Sequence, residues 1–318
     1  MEEDKLLVRI AEMYYQEDKN QSQIAAELNI HRTTISRLLK KSREEGIVQI
    51  TINYDLAGTY STEQYLEKEF GLQKAIVIPV SSEAGREQKD RLLGAAASDY
   101  LLDVLQDNMT IGFSWGQSLA ALISELGQKE FHNIVCLPMI GGPSGKLPSE
   151  YHVNTITYEA AKKINGRALL IDSPAIPETP ELKKSLMENA FNQELMELWE
   201  TLDVAVFGIG SPYLRKKERW QQFYGEDVLA ALKESEVTGD IVSRFYNSEG
   251  QQIISPLDDR VIGLQLETLK KAAVRLALAE SLDKARAILG ALKGGFLTTL
   301  VTTEETAQEI MRLYETEE

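Results

Sequence analysis

The sequence predicts an α/β chain in two parts. A small helix-turn-helix unit occupies residues 1–54, residues 55–61 form a linker, and residues 62–318 form a larger domain around an open, mainly parallel sheet. Three observations predict this. The stretch Gln21–Glu45, QSQIAAELNIHRTTISRLLKKSREE, holds two apolar periodicities of helical spacing separated by a three-residue turn. From Ala75 onward, short apolar runs alternate with helical stretches, as in strands that are each followed by a helix. Charge is divided unevenly: the first 55 residues hold 8 Lys+Arg against 10 Asp+Glu, the rest 26 against 39, for a formal net charge of −15. The acidic part is repelled by phosphate, which leaves nucleic-acid contact to one small basic surface.

The elements follow in order. Residues 2–16 form an amphipathic helix with Leu6, Leu7, Ile10, Met13 and Tyr14 as its apolar stripe. Ser22 is read as the N-cap of a second, short helix carrying Ile24, Ala25 and Leu28. Asn29 tolerates the left-handed conformation that closes it. Ile30 is a turn residue facing the core, and His31 starts the third helix. Ile35, Leu38 and Leu39 share one face of that helix, and five Arg or Lys with no acid lie between His31 and Arg43. Two short helices with a basic second one fit a motif whose second helix enters the DNA major groove. The bland alternative is a solvated basic helix in some other small bundle. The reading for DNA assigns Gln21, Ser22, Arg32, Thr33, Thr34, Ser36, Arg37, Lys40 and Lys41 to contact. Thr33, Thr34 and Arg37 approach base edges, and Arg32, Lys40 and Lys41 mainly meet phosphates. IVQITINYD, after Gly46, alternates like a strand and is read as a wing.

In the larger domain a helix over Gln64–Phe70 leads into a strand at Ala75–Val80. Helices follow at about 88–105, 118–126, 154–164 and 180–201, with strands at 109–113, 134–140, 168–171 and 204–207 between them. Ile241–Tyr246 reads as strand-like and Ala273–Ala279 as a further apolar run. A helix at 283–292, a strand at 296–301 and a helix at 304–314 complete the pattern. The single cysteine, Cys136, sits in the apolar run IVCLPMI and reads as a buried thiol. No disulfide framework, zinc-ligand spacing, signal peptide or apolar run of membrane-spanning length is present in the sequence, so a cytoplasmic protein without metal or cofactor is expected.

Sheets of this kind bind ligands at the carboxyl ends of their strands. Four polar or glycine-bearing loops fall there: GFSWGQS at 112–118, GGPSGKLPSEYHVN at 141–154, VFGIGSP at 206–212 and TGDIVSRF at 238–245. The first can hold an anion on the amides that open its helix, or be only a tight turn. Asp240 can accept hydrogen bonds from sugar hydroxyls or be a turn residue. Lys284, in the first turn of a helix, is a ligand group or a solvated lysine.

With these residues in view, the chain resembles the SorC/DeoR-type sugar-binding transcriptional regulators. HRTTISRLLKKSREEGIV, GFSWG, GGPSGKLPSEYHVNT, GIGSP, GDIVSRFY and KARAILGALKGGFLTTLVTTEETA carry the resemblance, which covers nearly the whole chain. It implies a DNA-binding unit, an effector domain similar to phosphosugar isomerases, and assembly as a dimer or as a tetramer built from two dimers. It implies operator DNA and a sugar or sugar phosphate as partners, with L-sorbose or a related ketose or polyol as the effector. The family's phosphate loop falls on Ser114, Trp115, Gly116, Gln117 and Ser118, after Gly112. Its next loop falls on Gly141 to Asn154, with Gly142, Lys146 and His152 between them. Its acidic sugar contact falls on Asp240, and its glycine-pair-and-lysine element on Glu280 to Lys284. Trp115 stands where some members carry glycine, and Glu280 and Ser281 replace the glycine pair. Both departures favour a free or weakly charged sugar stacked on Trp115. The rival expectation is a phosphosugar isomerase or deaminase fused to a DNA-binding unit. Its proton-abstracting base would come from Asp240, Glu280 or His152, which form no clear catalytic pair. A purely architectural DNA-binding protein leaves the acidic α/β domain without a role.

Overall fold

A computed structural model describes residues 2–48, 58–80, 84–143, 147–211, 235–255 and 257–317. The chain divides between Leu56 and Ala57 into two compact units.

The first unit holds α1 (Glu2–Tyr15), α2 (Gln21–Leu28) and α3 (Arg32–Glu44). Leu7, Ile10, Met13, Ile24, Ile35, Leu38 and Leu39 pack together as its core. The N-cap of α2 is Asn20, two residues before the serine that the sequence suggested. Its Oδ1 accepts the amides of Ser22 and Gln23, both at 3.0 Å, while the Gln23 side chain takes the Asn20 amide at 2.9 Å. This reciprocal capping box outcompetes a cap at Ser22 because a glutamine stands three residues after Asn20. Asn29 closes α2 at φ 52° and ψ 42°, as its side chain permits. Ile47 and Val48 are bends, with the Val48 amide on Ser42 O at 2.9 Å. The remainder of the expected wing lies outside the described residues.

The second unit begins with α4 (Tyr60–Phe70), which starts inside the expected linker. The strands β1 (Lys74–Ile78), β2 (Thr110–Phe113), β3 (Val135–Pro138), β4 (Arg167–Ala168), β5 (Val204–Gly208), β9 (Val274–Leu278) and β10 (Thr299–Thr303) form one sheet in the order β1-β10-β9-β5-β2-β3-β4. Every neighbouring pair is parallel. Strands β6 (Gly239–Ile241), β7 (Arg244–Tyr246) and β8 (Gln252–Ile253) form a small antiparallel sheet. The helices are α5 (Arg86–Val104), α6 (Gln117–Glu125), α7 (Val153–Lys163), α8 (Pro180–Met187), α9 (Ala190–Trp199), α10 (Leu266–Leu269), α11 (Ala285–Lys293) and α12 (Glu304–Glu317).

Period-two alternation sends successive side chains to opposite faces. Val204 and Val206 of β5 join one apolar layer with Ile111, Phe113 and Cys136, and Ala205 and Phe207 join the other with Ala75, Val77 and Leu300. Burial on both faces explains why these strands read as short, nearly continuous apolar runs. Cys136 is fully buried, and burial pushes its thiol up to about 12, so it is an inert core residue. No described helix is long and apolar enough to cross a membrane.

Two strands depart from expectation. The expected strand at 168–171 is paired only at Arg167 and Ala168. Further on, the Asn154 side-chain amide takes both backbone groups of Ile171, at 2.9 and 3.0 Å, and diverts it from a ladder. The stretch 241–246 is a hairpin whose turn residues Val242 and Ser243 have φ of 47° and 60°. Those are the signs a type I′ turn requires, and a β-branched residue in that conformation gives no turn signal in a sequence.

Candidate functional site

From β2 the chain moves outward to β3 and β4, and from β5 it moves the other way to β9 and β10. The boundary between the carboxyl ends of β2 and β5 is therefore the topological switch point, where such sheets take ligands. The four strands β9, β5, β2 and β3 are consecutive in the sheet, and the expected effector loops lie at or against their ends.

At the end of β2, the Ser114 amide donates to Val206 O at 3.0 Å, and its hydroxyl accepts the Gly208 amide at 3.4 Å. Ser114 thus joins the ends of β2 and β5. Gly116 has φ 124° and ψ 174°, a conformation open to glycine, and is the N-cap of α6 with no side chain capping that helix. Its own amide donates to Tyr151 O at 3.2 Å, so it is taken by the protein. Trp115, Gln117 and Ser118 are half-buried, with Trp115 packed on one apolar layer and the Gln117 amide donated to Asp90. Gly112 belongs to the strand itself: a Cβ there would come within 2.5 Å of the Met139 side chain, so its smallness serves packing.

At the end of β3, the Gly141 amide donates to Ile262 O and the Gly142 amide to Ser173 O, both at 2.9 Å. A Cβ on Gly142 would lie 2.7 Å from His152 Nε2, which places that imidazole against the loop backbone. His152 Nδ1 accepts the Asn154 amide at 3.1 Å and so caps α7, and partial burial lowers the His152 pKa. Asn154, expected to touch effector, has its side-chain amide engaged by Ile171 as described above. Lys146 lies outside the described residues.

At the end of β5, Gly210 and Asp240 exchange backbone hydrogen bonds at 2.9 and 3.2 Å. The absence of a side chain on Gly210 leaves room for the Asp240 carboxylate directly over its backbone. Behind them Tyr246, fully buried, donates its hydroxyl to Ala287 O at 2.9 Å. Burial, with the charge of Asp240 adding to it, holds that phenol neutral.

At the end of β9, Ser281 has φ 121° and ψ 139°, in a region that side chains rarely adopt. Its amide donates to Thr306 Oγ1 at 2.9 Å, and that hydroxyl pairs with Thr303 Oγ1 at 2.8 Å. Lys284 ends the short turn that follows. Burial raises the Glu280 pKa. Lys284, Lys89 and Arg86 oppose that shift, and Asp90 reinforces it. The first turns of α5 therefore bring Arg86, Lys89 and Asp90 to this end of the sheet. Sequence reasoning missed these three, because nothing in RLLGAAAS or in the preceding REQKD distinguishes a site-facing helix start from a solvated one. Among the described residues, no group of three or more His, Cys, Asp or Glu side chains is arranged to hold a metal.

In the first unit Arg32, Thr33, Ser36, Arg37 and Lys40 are exposed along α3, and Thr34 and Lys41 are half-buried. Gln21 and Ser22 open α2, half-buried and exposed respectively. Lys40 pairs with Glu44 at 3.6 Å and Lys41 with Glu45 at 3.5 Å, each one turn along the same helix.

Comparison with known proteins agrees with this architecture. Residues 54–312 match the family model described as "Putative sugar-binding domain", and residues 2–50 match "Homeodomain-like domain". The chain is 40% identical over 311 residues to the sorbitol operon regulator of Klebsiella pneumoniae, covering 97% of this chain and 98% of that one. It is 27% identical over 312 residues to the deoxyribonucleoside regulator of Bacillus subtilis (strain 168), covering 98% of each. The crystal structure of the full-length sorbitol operon regulator SorC from Klebsiella pneumoniae superposes with a TM-score of 0.78 at 39% identity, over 96% of this chain and 98% of that one. A helix-turn-helix unit joined to a sugar-binding α/β domain, shared over nearly the full length with named operon regulators, places this chain in the SorC family of DNA-binding, sugar-responsive transcriptional regulators.

Proposed function

We propose that the effector is an unphosphorylated polyol or ketose. It is held in the crevice at the ends of β9, β5, β2 and β3, where it changes how tightly α3 holds operator DNA. The observation that carries this reading is the seating of Asp240 on Gly210, beside the switch point between β2 and β5. A polyhydroxylated ligand needs acceptors and donors close together, and Asp240 at the end of β5, with Glu280 and the Lys284, Lys89, Arg86 and Asp90 charges that act on it, supplies both. Their charges offset one another, which favours a neutral ligand over an anion, and the half-buried Trp115 is the aromatic side chain at the end of β2. That a relative 40% identical is named for sorbitol points the same way. A phosphorylated ligand is the second reading, favoured by the uncapped N-terminus of α6.

DNA contact falls to α3, with Thr33, Thr34 and Arg37 at base edges and Arg32, Lys40 and Lys41 at phosphates. One such helix has a small footprint, so operator recognition uses paired copies of the chain on repeated half-sites. The effector acts only through its preference for one arrangement of those copies, a coupling of about 1–3 kcal/mol, or roughly 5–150-fold in operator affinity.

The test is operator affinity measured with and without D-sorbitol, L-sorbose and their 6-phosphates. The free sugars should shift it, and Asp240→Ala should abolish the shift while leaving basal operator affinity intact. Trp115→Gly should weaken the free sugars and spare or improve the phosphates. An Asp240→Ala protein that still responds fully places the site elsewhere, and a response to the phosphates alone supports the second reading.

A further inference from the structure

We infer that Arg244 is a positioning residue that fixes the end of β3 relative to the end of β5, and so sets the width of the crevice without touching its ligand. The guanidinium is 1% exposed and lies on β7, across the hairpin from Ile241 and so one pair along from Asp240. All its nitrogens are engaged by one stretch of chain. Nη1 donates to Asp258 Oδ1 at 2.8 Å, Nη2 to Gly263 O at 3.2 Å and Val261 O at 3.5 Å, and Nε to Leu264 O at 3.4 Å. Asp258 is held in turn on its other oxygen by the Ser255 amide and hydroxyl at 2.8 and 3.0 Å. The planar fork thus fastens residues 258–264 as a belt, which a flexible ammonium cannot imitate.

That belt carries the loop after β3. The Gly141 amide donates to Ile262 O at 2.9 Å, the Leu264 amide to Met139 O at 2.8 Å, and the Ile262 amide to Ala175 O at 2.9 Å. On the other side, the hairpin bearing Arg244 is tied to the end of β5 through Asp240 and Gly210. Arg244 is therefore the shared anchor of the two walls. A buried arginine satisfied this completely adds little net stability over a well-packed apolar group. Its geometry, by contrast, determines where the Gly141–Gly142 backbone stands. The same belt reaches α8 through Lys183 Nζ on Asp258 O at 3.0 Å, and the chain just before α8 through Arg260 on Glu178 O at 3.3 Å.

The test uses hydrogen–deuterium exchange on the full-length protein without effector. In Arg244→Lys, peptides covering 139–142 and 208–211 should exchange about tenfold faster, while β10 and α12 stay within about twofold of wild type. Ser255→Ala, a milder loosening of Asp258, should move the same peptides about threefold and keeps the test available if Arg244→Lys does not fold. Thr299→Val, which removes a hydrogen bond to Tyr100 on the far side of the sheet, should leave those peptides unchanged. Faster exchange confined to 244–264, with 139–142 and 208–211 unaffected, would overturn the inference. A second arm measures the D-sorbitol concentration that half-shifts operator affinity, which should rise about tenfold or more in Arg244→Lys. This arm alone rests on the crevice binding that sugar. A wild type silent to D-sorbitol but with the expected exchange pattern refutes the sugar assignment and upholds the role of Arg244.

Discussion

Nδ1 of His152 accepts the Asn154 amide, so the neutral ring caps α7 with its proton on Nε2. Protonating Nδ1 breaks that cap and sets a positive charge at a helix N-terminus, where the dipole disfavours it. Burial lowers this pKa below its ordinary 6.5, so the unfolded chain takes up a proton before the folded one does. Stability is unaffected by this group above about pH 6.5 and falls as pH drops from there toward the lowered value. Thermal melts of wild type should show that decline, and His152→Asn, which caps without titrating, should lose it; parallel curves would rule out His152 as the cause. The sequence displayed His152 and Asn154 as polar residues in a candidate ligand loop. It gave no sign that one caps a helix and the other clips Ile171, since both roles depend on which backbone comes within reach. Ser281 was legible only as a substituted glycine, and its φ of 121° lies where glycine is at ease and a serine rarely goes.

Local signals decide α2, the turn and α3, which is why that motif was readable. Apolar spacing, an asparagine at the left-handed position and a run of cations all act within a few residues of one another. Even the cap missed by two residues was encoded, in the Asn20 and Gln23 spacing. The β6–β7 hairpin was not, because Val242 accepts a turn conformation that its neighbours impose on it. For the exposed face of α3, Arg37→Ala should cost about 1–3 kcal/mol at one base pair and relax specificity there. Lys41→Ala should weaken all sequences alike and flatten the salt dependence. Titration of a panel of single-base operator variants separates the two. Unchanged operator affinity in Arg37→Ala would mean that another face reads the bases.

The parallel sheet was legible from alternation and from strands apolar on both faces, but its order was not. Nothing local places β5 between β2 and β9, and that placement creates the switch point. Operator binding by paired copies requires association, so light scattering should give at least a dimer; a monomer that retains tight operator binding would contradict this. A last consequence follows from β1, an edge strand whose one neighbour among the described residues is β10, paired along its whole length from Lys74 with Thr299 to Ile78 with Thr303. The ribosome makes β1 long before its partner, with most of the domain between them. The helix-turn-helix contacts are short in sequence and available as soon as they emerge, whereas the sheet cannot close its edge until β10 has emerged. A nascent chain therefore exposes a folded DNA-binding unit ahead of an unfinished sensor, and a frameshift before Thr299 leaves β1 without the strand that completes it.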